Sequence, residues 1–463
     1  MQNPTLTDRI AALGVIVLTA LAAMDLWHLI DTKPVTRPLL ILVVGLYVLR
    51  VRTSRRAFVL VGIGLTLWLW IERDDWRDVV RNALDKGIFI AAFFTALATL
   101  RNVAETSPAL RRAGNFLAAQ PPGRRYAALT GGGHAFALLL NYGSMSLLGS
   151  LATQASRDEP NAEIRGHRTR RMLLAIQRGF LSSLPWSPLG FALAVTTALI
   201  PGASWAGAVV PGLVTSALMM GCGWAMDSIF KPRLTQPPAP RGPVTGNWSL
   251  ILPLFGLLLI LAVSVGGLHI VTGLRVVSIV IVVVPAISLI WALIQARREM
   301  SLPDRLSRFA RHDVPGYREE ISLLIMAGFI GTAGAPLLQP IVAALGIDLA
   351  TWPVWVVLPL FVWLVPLLGQ LGMNPILAVT LLAPLLPDAA SLGVPPSAIV
   401  AAIAAGWALS GATSPFTATT LLIGALGGVS ATHVGLRWNG AYFLVCAAIL
   451  TVWVVVFGLL AGG

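Results

Sequence analysis

LAIQRGFLSSLPWSPLGFALAVTTALIPG, residues 174–202, lies without a gap over AAIAAGWALSGATSPFTATTLLIGALGGV, residues 401–429. Ala175/Ala402, Ile176/Ile403, Gly179/Gly406, Ser183/Ser410, Ser187/Ser414, Pro188/Pro415, Ala198/Ala425 and Leu199/Leu426 are identical. Apolar helices share residues by chance, but the common Gly-x3-Ser-x3-Ser-Pro frame is a more specific match. Each stretch is long and apolar enough to enter a bilayer, and each is interrupted by Ser-Pro. Proline removes a donor and disfavours helix at the residue before it. Each stretch therefore predicts a helix broken part-way across the membrane, over 172–200 and 396–428.

The surroundings of the two stretches repeat as well. Each is preceded by an apolar segment with turn residues at mid-length, 126–154 and 351–388. Asn141 (LLNYGSMS) and Asn374 (GMNPILA) stand at the turns. We read these segments as re-entrant hairpins. Before each comes a spanning helix, at 87–104 and 320–345, and before that a polar segment, ERDDWRDVVRNALDKG or SLPDRLSRFARHDVPGYREE. An odd number of crossings per repeat makes the two copies point in opposite directions. The predicted organisation is an extra N-terminal helix (1–36), a first repeat (37–227), a Pro-rich cytoplasmic linker (228–247) and a second repeat (248–463). Further helices are predicted near 10–30, 38–50, 57–71, 205–227, 248–267, 275–296 and 438–460. The fold class is an all-α membrane protein of about 11 transmembrane helices. It carries two re-entrant hairpins and an inverted-topology repeat with two broken helices.

Composition agrees with a membrane chain. Of 463 residues, 56% are hydrophobic and only 11% charged, against roughly a quarter charged in soluble domains. The net charge of +13 does not indicate nucleic acid, because the arginines sit in short loops and do not alternate with aromatics. With the N-terminus in the cytoplasm, 25 of the 33 Lys and Arg residues fall on the cytoplasmic side. Among them are Arg50 to Arg56, Arg157 to Arg171, Arg233, Arg241, Arg297, Arg298 and Arg437. Seven fall outside, a strong positive-inside bias that places the C-terminus in the periplasm of a bacterial inner membrane. Residues 10–30 read as a retained helix, there being no small-residue cleavage site. Cys222 and Cys446 lie within apolar runs and imply neither a disulfide nor a metal site.

The breaks are where chemistry is expected. Backbone groups freed at mid-membrane are tolerated only where protein or a water-filled site covers them. The second half-helix offers N–H groups and a positive dipole end to an anion. Carbonyls at the first half-helix and the hairpin turns suit Na⁺, giving a candidate Na⁺ position near Asn141, Ser187, Asn374 and Ser414. Two such breaks form a substrate site in the general logic of secondary transporters. The candidate substrate-binding residues are Asn141, Gly143, Ser144, Arg178, Ser187, Pro188, Asn374, Ser410, Thr413, Ser414, Pro415 and Thr417. Membrane hydroxyls also bond to the carbonyl one turn back, so each has a purely structural reading. Arg178 either snorkels to the cytoplasmic face or contacts substrate. His134 either shuttles a proton or is a packed histidine bonded to a carbonyl. Asp25 and His28 are read as peripheral.

The order of spanning helix, hairpin with Asn at its turn, broken helix with a Ser-Pro break, and final helix, occurring twice, resembles the ion transporter superfamily. That group includes dicarboxylate and citrate carriers, arsenite exporters and sodium/proton antiporters. The resemblance covers about 87–227 and 320–460 and is architectural. The dicarboxylate branch carries Ser-Asn-Thr at both hairpin turns, where this chain has Asn141-Tyr142-Gly143-Ser144 and Asn374-Pro375-Ile376-Leu377; only the Asn carries over. The resemblance implies an elevator-like motion of the hairpin and broken-helix domain, and many relatives are dimers, so a homodimer is compatible with it.

Residues 321–436 contain no Lys, Arg or Glu, and their only acids are Asp348 and Asp388. A sodium/proton antiporter wants a buried acid, so a small, organic anion fits better, carried by Na⁺- or H⁺-coupled symport. An exporter of a toxic oxyanion or metabolite, and a non-transporting membrane subunit, are the other readings. No HExxH, GxSxG or pair of membrane acids points to an enzyme. The expected partners are a small-molecule anion and the lipid bilayer, with no cofactor beyond a Na⁺ coupling ion.

Overall fold

A computed structural model describes residues 4–232, 234–235, 246–296 and 301–462. Arg233, Arg241, Arg297, Arg298 and most of the Pro-rich linker lie outside the described residues. Every regular element among the described residues is helical. In chain order they are α1 (Leu6–Leu26), α2 (Lys33–Val48), α3 (Thr53–Glu72), α4 (Trp76–Glu105), α5 (Pro108–Ala118), α6 (Pro122–Leu140) and α7 (Tyr142–Arg157). There follow α8 (Ala162–Ser183), α9 (Phe191–Leu199), α10 (Trp205–Ile229), α11 (Leu252–Thr272), α12 (Val276–Ala296), α13 (Leu302–Arg308) and the single turn α14 (Val314–Gly316). The last are α15 (Arg318–Ala344), α16 (Val354–Gln370), α17 (Pro375–Leu382), α18 (Pro396–Thr413), α19 (Ala418–Gly427) and α20 (Gly440–Ala461). Among the described residues nine helical segments are long and apolar enough to span a membrane, with α16 and α17 as shorter apolar helices. The chain is thus a multi-pass membrane protein.

The elements start where capping chemistry allows. Thr5 and Asp8 form a reciprocal capping box on α1, and the Asn161 side chain accepts the N–H groups of Glu163 and Ile164 at the start of α8. Such caps satisfy donors that a helix cannot satisfy itself. The polar segment before α4 is not separate: from Trp76 onward it is the first turns of that 30-residue helix. Its counterpart before α15 is broken into α13, a π-helical turn (Phe309–Asp313) and α14, with Pro303 and Pro315 contributing no N–H.

The chain divides into two compact units, each drawn from both sequence halves. The first comprises 1–103, 261–349 and 376–386. Within it α1 packs on α2 and α12, and α3 on α15. Arg37 holds Asp85 through two bonds of 2.8 Å, and the Trp27 indole N–H donates to the Ser278 carbonyl at 2.9 Å. Thr380, beyond the second hairpin turn, bonds the Ile376 carbonyl at 2.8 Å and abuts Gly331 of α15.

The second unit comprises 104–260, 350–375 and 387–463. Both broken helices are in it. So are the first hairpin and the first arm of the second; residues 376–386 of the segment expected to form one hairpin group with the first unit. Its two tightest helix pairs are α6 with α8 and α16 with α18. Glycines make both possible. A Cβ on Gly179 would strike the Thr130 carbonyl, and one on Gly406 would strike the Phe361 carbonyl. Gly179 and Gly406 are equivalent in the alignment, and each lets a broken helix approach the backbone of the hairpin arm before it.

Candidate functional site

Both breaks are built the same way. The Ser187 N–H donates to the Ser183 carbonyl at 3.0 Å and the Ser414 N–H to the Ser410 carbonyl at 2.9 Å. Each serine hydroxyl reaches forward over the proline that follows it: Ser187 Oγ accepts the Leu189 N–H at 3.2 Å and Ser414 Oγ accepts the Phe416 N–H at 3.3 Å. The second half-helices begin at Phe191 and Ala418, again equivalent positions, with Gly190 and Thr417 extended before them. Neither residue caps its helix with a side-chain hydrogen bond. The breaks differ at their start. Break one carries two prolines, Pro185 and Pro188, so α8 stops at Ser183; break two carries Pro415 alone, and α18 runs on to Thr413.

Each break is keyed to its hairpin. Trp186 in break one stacks on His134 of α6, with centroids 5.7 Å apart, and donates its indole N–H to Nε2 at 3.2 Å. In break two the Ser414 hydroxyl donates to the Gly369 carbonyl of α16 at 2.6 Å. Asn141 takes a positive φ of 50° at the first hairpin turn, a value uncommon for residues other than glycine. Its carbonyl accepts both the N–H and the hydroxyl of buried Ser144, at 3.0 and 2.7 Å. Gly143 is buried behind it, and the neighbouring Tyr142 ring packs on Phe180 of α8. Asn374 is half-buried in the short link before Pro375.

The hydroxyls divide into those spent on the backbone and those gathered together. Thr413 bonds the Leu409 carbonyl at 3.1 Å, one turn back. Thr417 lies 2.9 Å from the Thr419 hydroxyl and 3.1 Å from that of Thr420, and the Ser414 carbonyl accepts from both Thr417 and Thr420. Thr419 also donates to the Gly411 carbonyl. Ser183 bonds the Phe180 carbonyl at 2.7 Å, whereas the hydroxyl of its equivalent, fully buried Ser410, has no hydrogen-bond partner among the described residues. Burying a hydroxyl without a partner costs on the order of 1–3 kcal/mol, and the Ser410 hydroxyl is packed against Gly369 of α16.

Arg178 is buried, 5% exposed, and its side chain is turned into the protein. Nε donates to Asn439 Oδ1 at 3.2 Å, Nη1 to the Tyr126 hydroxyl at 3.0 Å, and the guanidinium sits 4.2 Å from the Tyr442 ring centroid. Among the described residues no carboxylate pairs with it. Asn439 in turn donates to Gln177 Oε1 at 3.0 Å, and Gln177 Nε2 reaches the Gly411 carbonyl at 3.5 Å. A chain of polar groups thus runs from the buried cation to the threonine cluster of break two. Gln177, Asn439 and Tyr126 were missed in the sequence. For Gln177 the available signal was an amide beside an arginine within the apolar second half of α8, residues 172–183. Cys222 and Cys446 are free thiols, both buried.

A recess of about 860 Å³ lies between α7, α8, the end of α19 and the turn at His433–Trp438. Arg157, Arg165 and Arg170 line it with Thr153, Gln154 and Trp438, and among the described residues no carboxylate is in its wall.

The Alcanivorax borkumensis YdaH transporter superposes with a TM-score of 0.59 at 15% identity, over 87% of this chain and 98% of that one. The fold is shared with that transporter. The Neisseria gonorrhoeae protein MtrF, described as illuminating a class of antimetabolite efflux pumps, gives a TM-score of 0.58 at 12% identity, over 89% of this chain and 96% of its own. These neighbours are transporters; the likeness does not single out the ion transporter superfamily. No family model and no curated protein sequence matches the chain.

Proposed function

We propose that this chain is a secondary active transporter of a small organic anion across the bacterial inner membrane, coupled to Na⁺ or H⁺. The observation that carries the reading is the pair of equivalent Ser-Pro breaks within one compact unit. Each leaves a half-helix N-terminus without a side-chain cap. Such termini favour negative charge. The breaks carry no carboxylate, the buried charge linked by hydrogen bonds to break two is Arg178, and a recess of the same unit is lined by three arginines. An organic cation would find no carboxylate at the breaks to balance its charge. The free hydroxyl of Ser410 and the carbonyls at the Asn141 turn support roles in binding solute or Na⁺. The grouping of the breaks in one unit supports an elevator-like exchange in which that unit carries the solute.

In this reading the two halves are inverted repeats, 37–227 and 248–463, with the N-terminus cytoplasmic and the C-terminus periplasmic. The shared break geometry and the Gly179/Gly406 contacts support it. An efflux permease for a toxic oxyanion or metabolite is the second reading, favoured by the likeness to MtrF. Proteoliposomes test both. Labelled carboxylates, sulfonates and oxyanions are expected to accumulate or be expelled under a Na⁺ or pH gradient. Movement of neutral or cationic solutes alone would sink the anion reading.

A further inference from the structure

His134 stands on α6 beside break one, and its two ring nitrogens have different partners. Nε2 receives the Trp186 indole N–H, 3.2 Å away, so it carries no proton. The ring proton is then on Nδ1, 2.8 Å from Ser182 Oγ. The Ser182 hydroxyl passes its own hydrogen to the Gly179 carbonyl at 2.7 Å. All three donors have acceptors, and one tautomer of the ring is fixed. Among the described residues of α6, α9, α16, α18 and α19, His134 is the one side chain whose type changes charge near neutral pH.

Its charged surroundings are sparse. α5, α7, α8 and α10 pack on α6. Arg111, Arg112 and Arg157 of α5 and α7 are exposed. On α8, Arg178 is bonded to Tyr126, Arg171 is paired with Asp227 of α10 at 2.6 Å, and Glu163 to Arg170 occupy the turns far from Ser182. Arg124 and Arg125 begin α6 itself, and Cys222 of α10 lies beside Met226. The His134 ring bonds none of these groups; its partners are Ser182 and Trp186.

We propose that His134 is a proton-binding site whose occupancy sets the geometry of break one. A proton taken from water forms an N–H bond with the Nε2 lone pair. Two N–H donors then face each other where one hydrogen bond stood, and the Trp186 indole must turn away. The ring planes lie only 16° from parallel, with centroids 5.7 Å apart, so the indole can slide over the cationic imidazole face with little rotation. Trp186 cannot move alone. Its carbonyl holds the Trp205 indole N–H at 3.0 Å, and the adjoining Pro185 carbonyl is seated against Gly212 of α10. Protonation therefore reaches the helix break and α10 together, and loss of the proton to water restores the first arrangement. The inference rests on the transport reading only in taking break one as part of the solute site.

The test is a pH titration of tryptophan emission in the purified full chain, taken as wild type minus Trp186→Phe. A single-proton transition is expected, and it should vanish in His134→Gln, which offers Trp186 a permanent acceptor. A flat difference signal, or a transition that survives in His134→Gln, would overturn the proposal. If His134→Gln does not fold, isotope-labelled histidine read by magnetic resonance decides: the wild-type ring should be the Nδ1-protonated tautomer alone, and the Trp186→Phe ring a mixture. A mixed wild-type ring overturns the proposal. In proteoliposomes, anion exchange by His134→Gln should lose at least tenfold of its response to a pH gradient; an unchanged response counts against the site. Failure of the wild type to carry any anion would overturn the transport reading instead, with the titration still deciding His134.

Discussion

Ser187 and Ser414 do the same work in two different helices: each hydroxyl accepts the N–H two residues further on, at 3.2 and 3.3 Å, across a proline that has none to give. Ser414 adds a bond to the Gly369 carbonyl. Replacing either serine with Ala is expected to lower transport several-fold, each lost hydrogen bond contributing on the order of 1 kcal/mol. Ser414→Ala should be the worse of the two. Exposed Ser249 is the control; equal loss in Ser249→Ala would show a general effect of serine removal.

Gly179→Ala and Gly406→Ala should both be destabilising, because the new methyl meets a carbonyl of the neighbouring helix. Overpacking of this kind costs about 1–3 kcal/mol. Gly131→Ala, on the same hairpin with open space around it, should be neutral or slightly stabilising. Thermal unfolding of the three variants in detergent makes the comparison, and similar melting temperatures for all three would contradict the packing described.

Arg178→Gln removes a buried charge that no carboxylate balances. Its effect on unliganded stability should be modest, since relief of desolvation offsets two lost hydrogen bonds. Its effect on anions should be larger, about tenfold in affinity or 1.4 kcal/mol. A thermal-shift screen of anions, neutral solutes and cations on both proteins reads this directly. Stabilisation by neutral or cationic solutes alone would refute the positive-field argument.

Neutralising Arg157, Arg165 and Arg170 to Gln should slow anion uptake at low ionic strength and matter less at high salt, because charges lining an open recess act through a screened field. Uptake rates across a salt series are the measurement. A rate loss independent of salt would point to damaged packing.

Topology has its own test. On a background lacking Cys222 and Cys446, single cysteines at 160 and 240 should react from the cytoplasm, and those at 348 and 392 from outside. Labelling of 160 and 392 from one side would rule out opposed repeats.

Much of the fold is legible in the chain itself, because the bilayer imposes a few strict demands. Apolar runs of sufficient length mark α1, α10, α12, α15 and α20, and Ser-Pro inside two such runs marks the breaks. The proline's missing N–H acts locally, so its effect can be read without knowing any neighbour. Boundaries were less legible where polar and apolar segments fuse, as in α4, which begins at Trp76 and not near 87.

The sequence by itself determined the helical class, the two breaks and the residue types gathered there. Each follows from local covalent chemistry and from the cost of bare backbone in hydrocarbon. Only the tertiary structure decided which groups meet. Asn439 stands 261 residues from Arg178 and Gly411 stands 234 from Gln177, so no spacing rule could join them. The direction of Arg178, open in the sequence between interface and interior, was settled by Tyr126, Asn439 and Tyr442, whose hydrogen bonds and ring face replace the water it gives up. The same holds for His134. The sequence left His134 either a proton shuttle or a packed histidine bonded to a carbonyl; the neighbouring helix supplies a hydroxyl and the break an indole, because partner identity depends on packing and not on helix periodicity.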